Sequence, residues 1–376
     1  MFKNAVSFLL HFFCSNFKNS RSLEVSLDEM IEIKKHTVIV GYGLAGFCYA
    51  YQLYRKGLSF CIIDQPLHSA TRQAAGVCNP TQLKRYSLAW EAPRFLAYAA
   101  RFYAFFEKEY SCSVFQKTPI HRYFYQVSEQ NLWGEASYSH LLAAFLEADI
   151  IPQGDPNIRL QNGYGIVKQA ARLNTVETLE TFSSLLDSSA FRKERFDYEA
   201  LQLQNSGIQY KNIEAQQIVF CEGFGIHSNP FFKQLPVIGA KGESLLIRAP
   251  ELATSATIKS GIFIVPMEAD IFWIGATFDH HDKTNQPTEQ GKLWLLNKLN
   301  MLLDTPFELL AHQAAVRPTV IDRRPILGKH ATYPSMAVFN GLGTRGAMMA
   351  PLLSEWLFQH LNEGKALPVE VALDRF

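Results

Sequence analysis

A parallel α/β domain, split along the chain and interrupted by a mixed α+β domain, is the fold class that the sequence predicts. Three observations carry it. An apolar run breaks into glycines at VIVGYGLAG (38–46), alternating strand-like segments crowd residues 241–278, and a second glycine cluster, GLGTRG (341–346), opens the last helix.

The elements follow in order. Thr37 to Val40 reads as a buried strand, Leu44 to Lys56 as a helix stopped by Gly57, and Ser59 to Ile63 as a second buried strand ending at Asp64. Apolar strands joined through a helix make a βαβ unit and hence a parallel sheet. A long aromatic-rich helix is expected from about Trp90 to Tyr110, then strand-like pieces at 120–126 and 165–168. Asn174, with Glu177 three residues on, is a capping-box start for a helix reaching Leu186. Ala215 to Cys221 is a strand that runs into Gly223. Residues 241–249, 261–267 and 271–278 alternate as an antiparallel sheet does. A helix over about 288–303, a strand at 336–340 and a helix over 347–361 close the chain. The pattern assigns 30–110, 205–230 and 320–376 to a discontinuous, Rossmann-like cofactor domain. It leaves 111–204 and 231–319 to an inserted antiparallel-sheet α+β substrate domain.

With 376 residues, 48% of them hydrophobic, the chain is long enough to bury two cores. The formal net charge is only +1, whereas a nucleic-acid binder usually carries a basic excess, so nucleic acid is not an expected partner. Six scattered cysteines without zinc-type spacing suit a reducing compartment, and a cytoplasmic location is expected. Residues 1–29 form an extension whose apolar run, Ala5 to Phe13, is too short for a transmembrane segment. It lacks a small-x-small cleavage site, and a start at Met30 is the favoured reading. In Asp279-His280-His281-Asp282 the adjacent histidines point to opposite faces, so a polar turn rather than a metal site is expected.

The first glycine loop has the context that its chemistry needs. Gly41 permits a tight turn, Gly43 lets backbone approach a pyrophosphate, and Gly46 lets helix pack on strand. The anion then rests on the helix N-terminus at Leu44 and Ala45, where free N–H groups and the dipole favour negative charge. Asp64, eighteen residues after Gly46, stands where a ribose-binding acid is expected. This loop alone does not choose between NAD and FAD.

SATRQAAGVCNP (69–80), AAVRPTVIDRRPILG (314–328) and FNGLGTRGAMMAP (339–351) make that choice by resemblance. The sequence resembles the flavin-dependent D-amino-acid oxidase and glycine oxidase group, the DAO family. Sarcosine oxidases and the oxidase domain of a bacterial tRNA-modifying enzyme are its relatives. The resemblance implies FAD as cofactor, with Arg72, Ala75 and Gly76 lining it and Gly223 in the same cradle. It also implies that Arg317, in the Arg-Pro motif, grips a substrate carboxylate. The physics of the second loop stands beside it. Gly341, Gly343, Thr344, Arg345 and Gly346 turn into a helix whose N-terminus favours the negative charge that a flavin gains on reduction. Arg345 lies inside this loop, open to either flavin or substrate.

The implied activity is FAD-dependent oxidation of a C–N bond in a small amino acid or secondary amine, with oxygen or another electron acceptor. Two alternatives stand: oxidation of a carboxymethylaminomethyl group on a tRNA base, and flavin binding without amine turnover. Hydride transfer from a neutral amine needs orientation and desolvation more than a dedicated base, so no catalytic acid or base is assigned. Phe263, Trp273 and Phe278 are expected to shape the pocket. Lys259 reads as a solvated loop lysine, its alternative being a charge that assists oxygen.

Overall fold

A computed structural model describes residues 32–65 and 69–376, so the extension of 1–29 and the Met30 start lie outside the described residues. Strand β1 (Ile33–Val40), helix α1 (Leu44–Arg55) and strand β2 (Phe60–Ile63) form the expected βαβ unit, with β1 and β2 parallel. Short strand β3 (Val77–Cys78) precedes helix α2 (Ala92–Tyr110), which buries Phe95, Phe102, Tyr103 and Phe106 along one face at helical spacing. Strands β4 (Phe115–Lys117) and β5 (Ile120–Tyr123) lead to helix α3 (Val127–Tyr138). Strands β6 (Tyr164–Val167) and β7 (Ala171–Leu173) follow, then helix α4 (Thr175–Ser183). Asn174 caps α4 as its sequence predicts. Its side chain accepts from the Glu177 N–H, and its amide donates to the Glu177 carboxylate at 2.8 Å.

The cofactor sheet is completed by residues far along the chain. Strand β8 (Phe191–Arg192) pairs parallel to β2, while β9 (Leu201–Gln204) and β10 (Gly207–Tyr210) form a hairpin beside β11 (Ile213–Phe220). β11 lies parallel to β1. The second sheet is built from β12 (Ala240–Arg248), β13 (Thr257–Ser260), β14 (Ile262–Glu268) and β15 (Ile271–Gly275). Helix α5 (Glu289–Asn300) and strand β16 (Glu308–Arg317) follow. The chain then returns to the first sheet with β17 (Ile326–Lys329), β18 (Met336–Asn340) and helix α6 (Gly346–Glu363). β18 lies parallel to β11. The second sheet runs β16-β12-β15-β14-β13-β5-β6, and β3, β7 and β4 form a small third one.

One expected boundary moves. Residues 191–204 fall in the span assigned to the substrate domain, yet β8 and β9 belong to the cofactor sheet. α4 joins it from the same span: the Tyr42 hydroxyl donates to the Leu179 carbonyl at 2.9 Å, and Phe47 meets Phe182 edge-on. Two residues of β8 carry no periodicity of their own, and their pairing with β2 is set by tertiary contact.

Candidate active site

Both glycine loops open onto one cavity of about 920 Å³ between the two large sheets. Gly41, Gly43, Leu44, Ala45 and Asp64 line it from the first loop and β2. Gly41 has φ +97°, and a Cβ there would lie 2.6 Å from the Cys221 carbonyl oxygen. Gly46 is set back from the cavity, where a Cβ would lie 2.0 Å from the Gly41 oxygen, so its absence of a side chain serves helix–strand contact. The N-terminus of α1 has no side-chain cap and no acidic residue in its first turn. The Leu44 N–H donates to Thr71 Oγ1 at 3.1 Å, and the Tyr42 N–H to Asp64 Oδ1 at 2.9 Å. Burial holds the Asp64 carboxyl above its ordinary value despite that N–H and Arg72.

The second loop meets the same cavity beside the first: a Cβ on Gly346 would lie 3.1 Å from Leu44 Cδ1. Gly343, Thr344 and Gly346 line the cavity, and α6 also starts without a side-chain cap or an acid in its first turn. Gly341 (φ +80°) is set behind, packed on Val320. Arg345 also turns away, donating to the Thr81 carbonyl at 3.2 Å. Ala75, Gly76 and Gly223 also line the cavity. A Cβ on Gly223 or Gly343 would find its nearest neighbour only at 3.9 or 3.8 Å, in open cavity. Arg72, placed by resemblance beside the cofactor, is not at the wall; it pairs with Glu180 at 3.0 Å on the outer face of α4. A cavity of this size with two helix N-termini that lack an N-cap side chain, lined by bare glycine, suits an anionic dinucleotide with a redox ring.

The substrate-domain wall carries Arg317 at the end of β16, with Phe263, Trp273 and Phe278 near it. The Arg317 guanidinium donates weakly to the Thr277 carbonyl, both contacts being 3.4 Å, and lies 5.5 Å from the Phe278 ring centroid. Among the described residues it has no ion pair, and burial lowers its pKa to about 10. Trp273 is fixed by a 3.1 Å bond from its indole N–H to the Gln73 carbonyl. Lys259 departs from its sequence expectation: it lies in β13, its ammonium borders the cavity, and burial with nearby Arg122 holds its pKa down to about 8. The turn at Asp279–Asp282 closes on itself, with the His281 N–H donating to Asp279 Oδ1 at 2.6 Å.

Gly242 is a functional residue that the sequence reading passed over. A Cβ there would lie 1.8 Å from Arg317 Nη2, so the guanidinium reaches its place only across a bare backbone. A glycine inside the strand run KGESLLIR is the signal that marks such a close approach. Gln73, whose buried Oε1 has no hydrogen-bond partner, also lines the cavity, and no sequence pattern marks it.

The family model described as DAO, FAD dependent oxidoreductase, matches residues 36–360. The chain belongs to this family. The cofactor of this DAO protein is therefore FAD. The bifunctional tRNA 5-methylaminomethyl-2-thiouridine biosynthesis protein MnmC of Pseudoalteromonas translucida is 27% identical over 87% of this chain and 56% of its own length. A MnmC of Leptospira interrogans is 24% identical over 89% of this chain and 58% of its own. The chain thus spans little more than half the length of these relatives. Among solved structures, glycine oxidase from Geobacillus kaustophilus superposes with a TM-score of 0.74 at 17% identity, covering 89% of this chain and 96% of that one. Iminodiacetate oxidase from Chelativorans sp. BNC1 gives 0.73 at 20% identity, covering 89% and 98%. These likenesses speak for the fold of the DAO chain. Among its described residues no helix is long and apolar enough to cross a membrane.

Proposed function

We propose that this DAO-family oxidoreductase oxidises the C–N bond of a small amine that bears a carboxylate, an amino acid or N-substituted glycine. The observation that carries the reading is Arg317: a half-buried cation with no ion pair among the described residues, in the same cavity as the start of α6, which lacks an N-cap side chain. Its two terminal nitrogens offer a planar fork to a carboxylate, which fixes orientation as well as charge. Phe263 and Trp273 would exclude water around the carbon to be oxidised, with the more exposed Phe278 at the cavity's edge. FAD held here would supply a hydride acceptor, so that the amine carbon would be oxidised to an imine that hydrolyses, with oxygen or another acceptor as the onward oxidant. Gly41, Gly43, Leu44 and Ala45 would hold its pyrophosphate and Asp64 its ribose. Ala75, Gly76, Gly223, Gly343, Thr344 and Gly346 would flank its remainder. Gly46, Gly341 and Arg345 support those positions from behind. The buried free thiols Cys48, Cys61, Cys78 and Cys221 are compatible with a cytoplasmic location.

Asp64→Ala is expected to weaken FAD binding roughly 10- to 100-fold, the worth of hydrogen bonds to a charged acceptor. Titrating apoprotein with FAD measures it. The activity itself is tested by anaerobic bleaching of the bound flavin with amino acids, N-methyl amino acids and matched amines lacking the carboxylate. Bleaching confined to the carboxylate-bearing amines is the expected result. Equal bleaching by both sets, or by neither, overturns the reading.

Similarity to MnmC across most of the chain favours a second reading, in which the amine is a carboxymethylaminomethyl group on a tRNA base. Such a group is also an N-substituted glycine and would engage Arg317 in the same way. Tight tRNA binding that weakens steeply with salt, together with bleaching by the modified nucleoside, distinguishes it.

A further inference from the structure

The strand register of the second sheet lays out a single continuous face. Residues opposite one another across a sheet share a face, as do residues two apart along a strand. Gln313, Ser244, Gly275, Phe263 and Lys259 stand opposite each other in turn across β16, β12, β15, β14 and β13. Ala315 pairs with Gly242 and Arg317 with Ala240, two and four residues along from the same row. Arg317 and Lys259 therefore rise from the same side of the sheet. Between them the cavity wall carries the small residues Gly242, Ser244, Gly275 and Ala315, with the Trp273 indole laid over Gly275 and Phe263 next to Lys259, so the two cations face one another across an apolar, aromatic stretch.

The charge along this wall is one-sided. Of the residues that the second sheet and its loops give to the cavity, Arg317 and Lys259 are the charged ones; the lining acids Asp64, Glu194 and Glu222 all belong to the cofactor part. Among the described residues neither cation has an ion pair, whereas Arg122, next in the row beyond Lys259, is paired with Glu129 at 2.7 Å. The Lys259 ammonium donates to the Gly261 carbonyl at 2.9 Å and leans over the Phe263 ring, 4.5 Å from its centroid. The Arg317 guanidinium lies over Gly242 of β12, and three strand spacings, about 14 Å, separate that strand from the backbone of Lys259. Two desolvated cations without a shared anion are costly, and a ligand with a negative group at each end would neutralise both.

We propose that Lys259 forms a second anion subsite, and that the substrate is an amine flanked by two carboxylates, one held by Arg317 and the other by Lys259. This rests on the amine-oxidation reading and narrows it to amino- or iminodicarboxylates. Lys259 is then a specificity-determining residue.

The test uses the FAD-loaded enzyme and two unreactive ligands with sulfur in place of the amine nitrogen: thiodiglycolate, with two carboxylates, and methylthioacetate, with one. Binding is read from the visible spectrum of the flavin. Thiodiglycolate is expected to bind at least about 10-fold tighter. Lys259→Met and Lys259→Gln should bring that ratio close to one, and Lys259→Arg should retain it. Equal affinities in the unaltered enzyme, or a preference that survives both neutral variants, overturns the proposal. So does a Lys259→Met enzyme that keeps the preference and loses only its rate of flavin reoxidation by oxygen, which would make Lys259 an aid to the acceptor. Competition of tRNA with methylthioacetate, without a thiodiglycolate preference, would replace the second carboxylate by a phosphate and also overturn it. Failure of methylthioacetate itself to bind through Arg317 counts against the amine reading rather than against Lys259.

Discussion

Arg317→Met is expected to lower kcat/KM for a carboxylate-bearing amine by on the order of 10³-fold. Removing one partner of a buried charge pair typically costs about 2–5 kcal/mol, and each 1.4 kcal/mol is roughly tenfold. The loss should be selective. A matched amine without the carboxylate makes no use of the guanidinium, so its turnover should change little. Stability should hold or rise, because the free protein sheds a half-buried cation that has no ion-pair partner among the described residues. Arg317→Lys keeps the charge and loses the planar fork, and should recover only part of the activity. Gly242→Ala provides an independent route to the same defect, since its methyl group would occupy the place of the guanidinium. Steady-state kinetics with the paired substrates, alongside thermal unfolding, check all of these. A fall of equal size for both substrates would show that Arg317 acts on something other than the carboxylate.

Gly76→Ala is expected to destabilise the protein by on the order of 3 kcal/mol and to strip it of FAD. Gly76 has φ +74°, and a Cβ there would lie 1.8 Å from the Leu173 carbonyl oxygen. The Leu173 N–H donates to the Gly76 carbonyl at 2.9 Å, so the two backbones are tied together and neither side can yield easily. Moving them apart shifts Ala75 and Gln73, both at the cavity wall. Gly134→Ala serves as the control: Gly134 is in α3, and nothing stands within 4 Å of where its Cβ would be. That change should be neutral or stabilising by up to about 1 kcal/mol. Thermal unfolding and the flavin retained after gel filtration report the difference. Equal behaviour of the two variants would mean that the close approach at Gly76 is not needed.

The cofactor side of the molecule was largely legible in the sequence, because its signals are local. The βαβ unit, the two glycine turns and the Asn174 cap each rest on residues within a few positions of one another; α1, β2 and α6 lie within a residue or two of their expected bounds, while β1 starts four residues earlier, at Ile33, and α4 stops three short of Leu186, at Ser183. The substrate side was less so. α3 escaped notice because VSEQNLWGEASY has no apolar stripe: Val127, Leu132 and Tyr138 are exposed around it. β16, which carries Arg317, was missed because ELLAHQAAVR alternates poorly, and its place is fixed by pairing with β12 along its whole length. Arg317 itself was found by its motif, whereas its relation to Gly242 and Lys259 depends on the order of five strands. No short window of sequence contains that order.

The interleaved cofactor sheet has a consequence for how the protein is made. Thr37 of β1 pairs with Gln217 of β11, so the first strand waits about 180 residues for its inner neighbour. β11 in turn takes β18, and α6 locks onto the first helices when the Tyr103 hydroxyl donates to the Ala347 carbonyl at 2.9 Å. While the ribosome is still working, the edge of β1 therefore stands bare, an invitation to pair with a neighbouring nascent chain. Such a chain should lean on chaperones until β18 and α6 emerge, and should acquire its flavin only after α6 has been made.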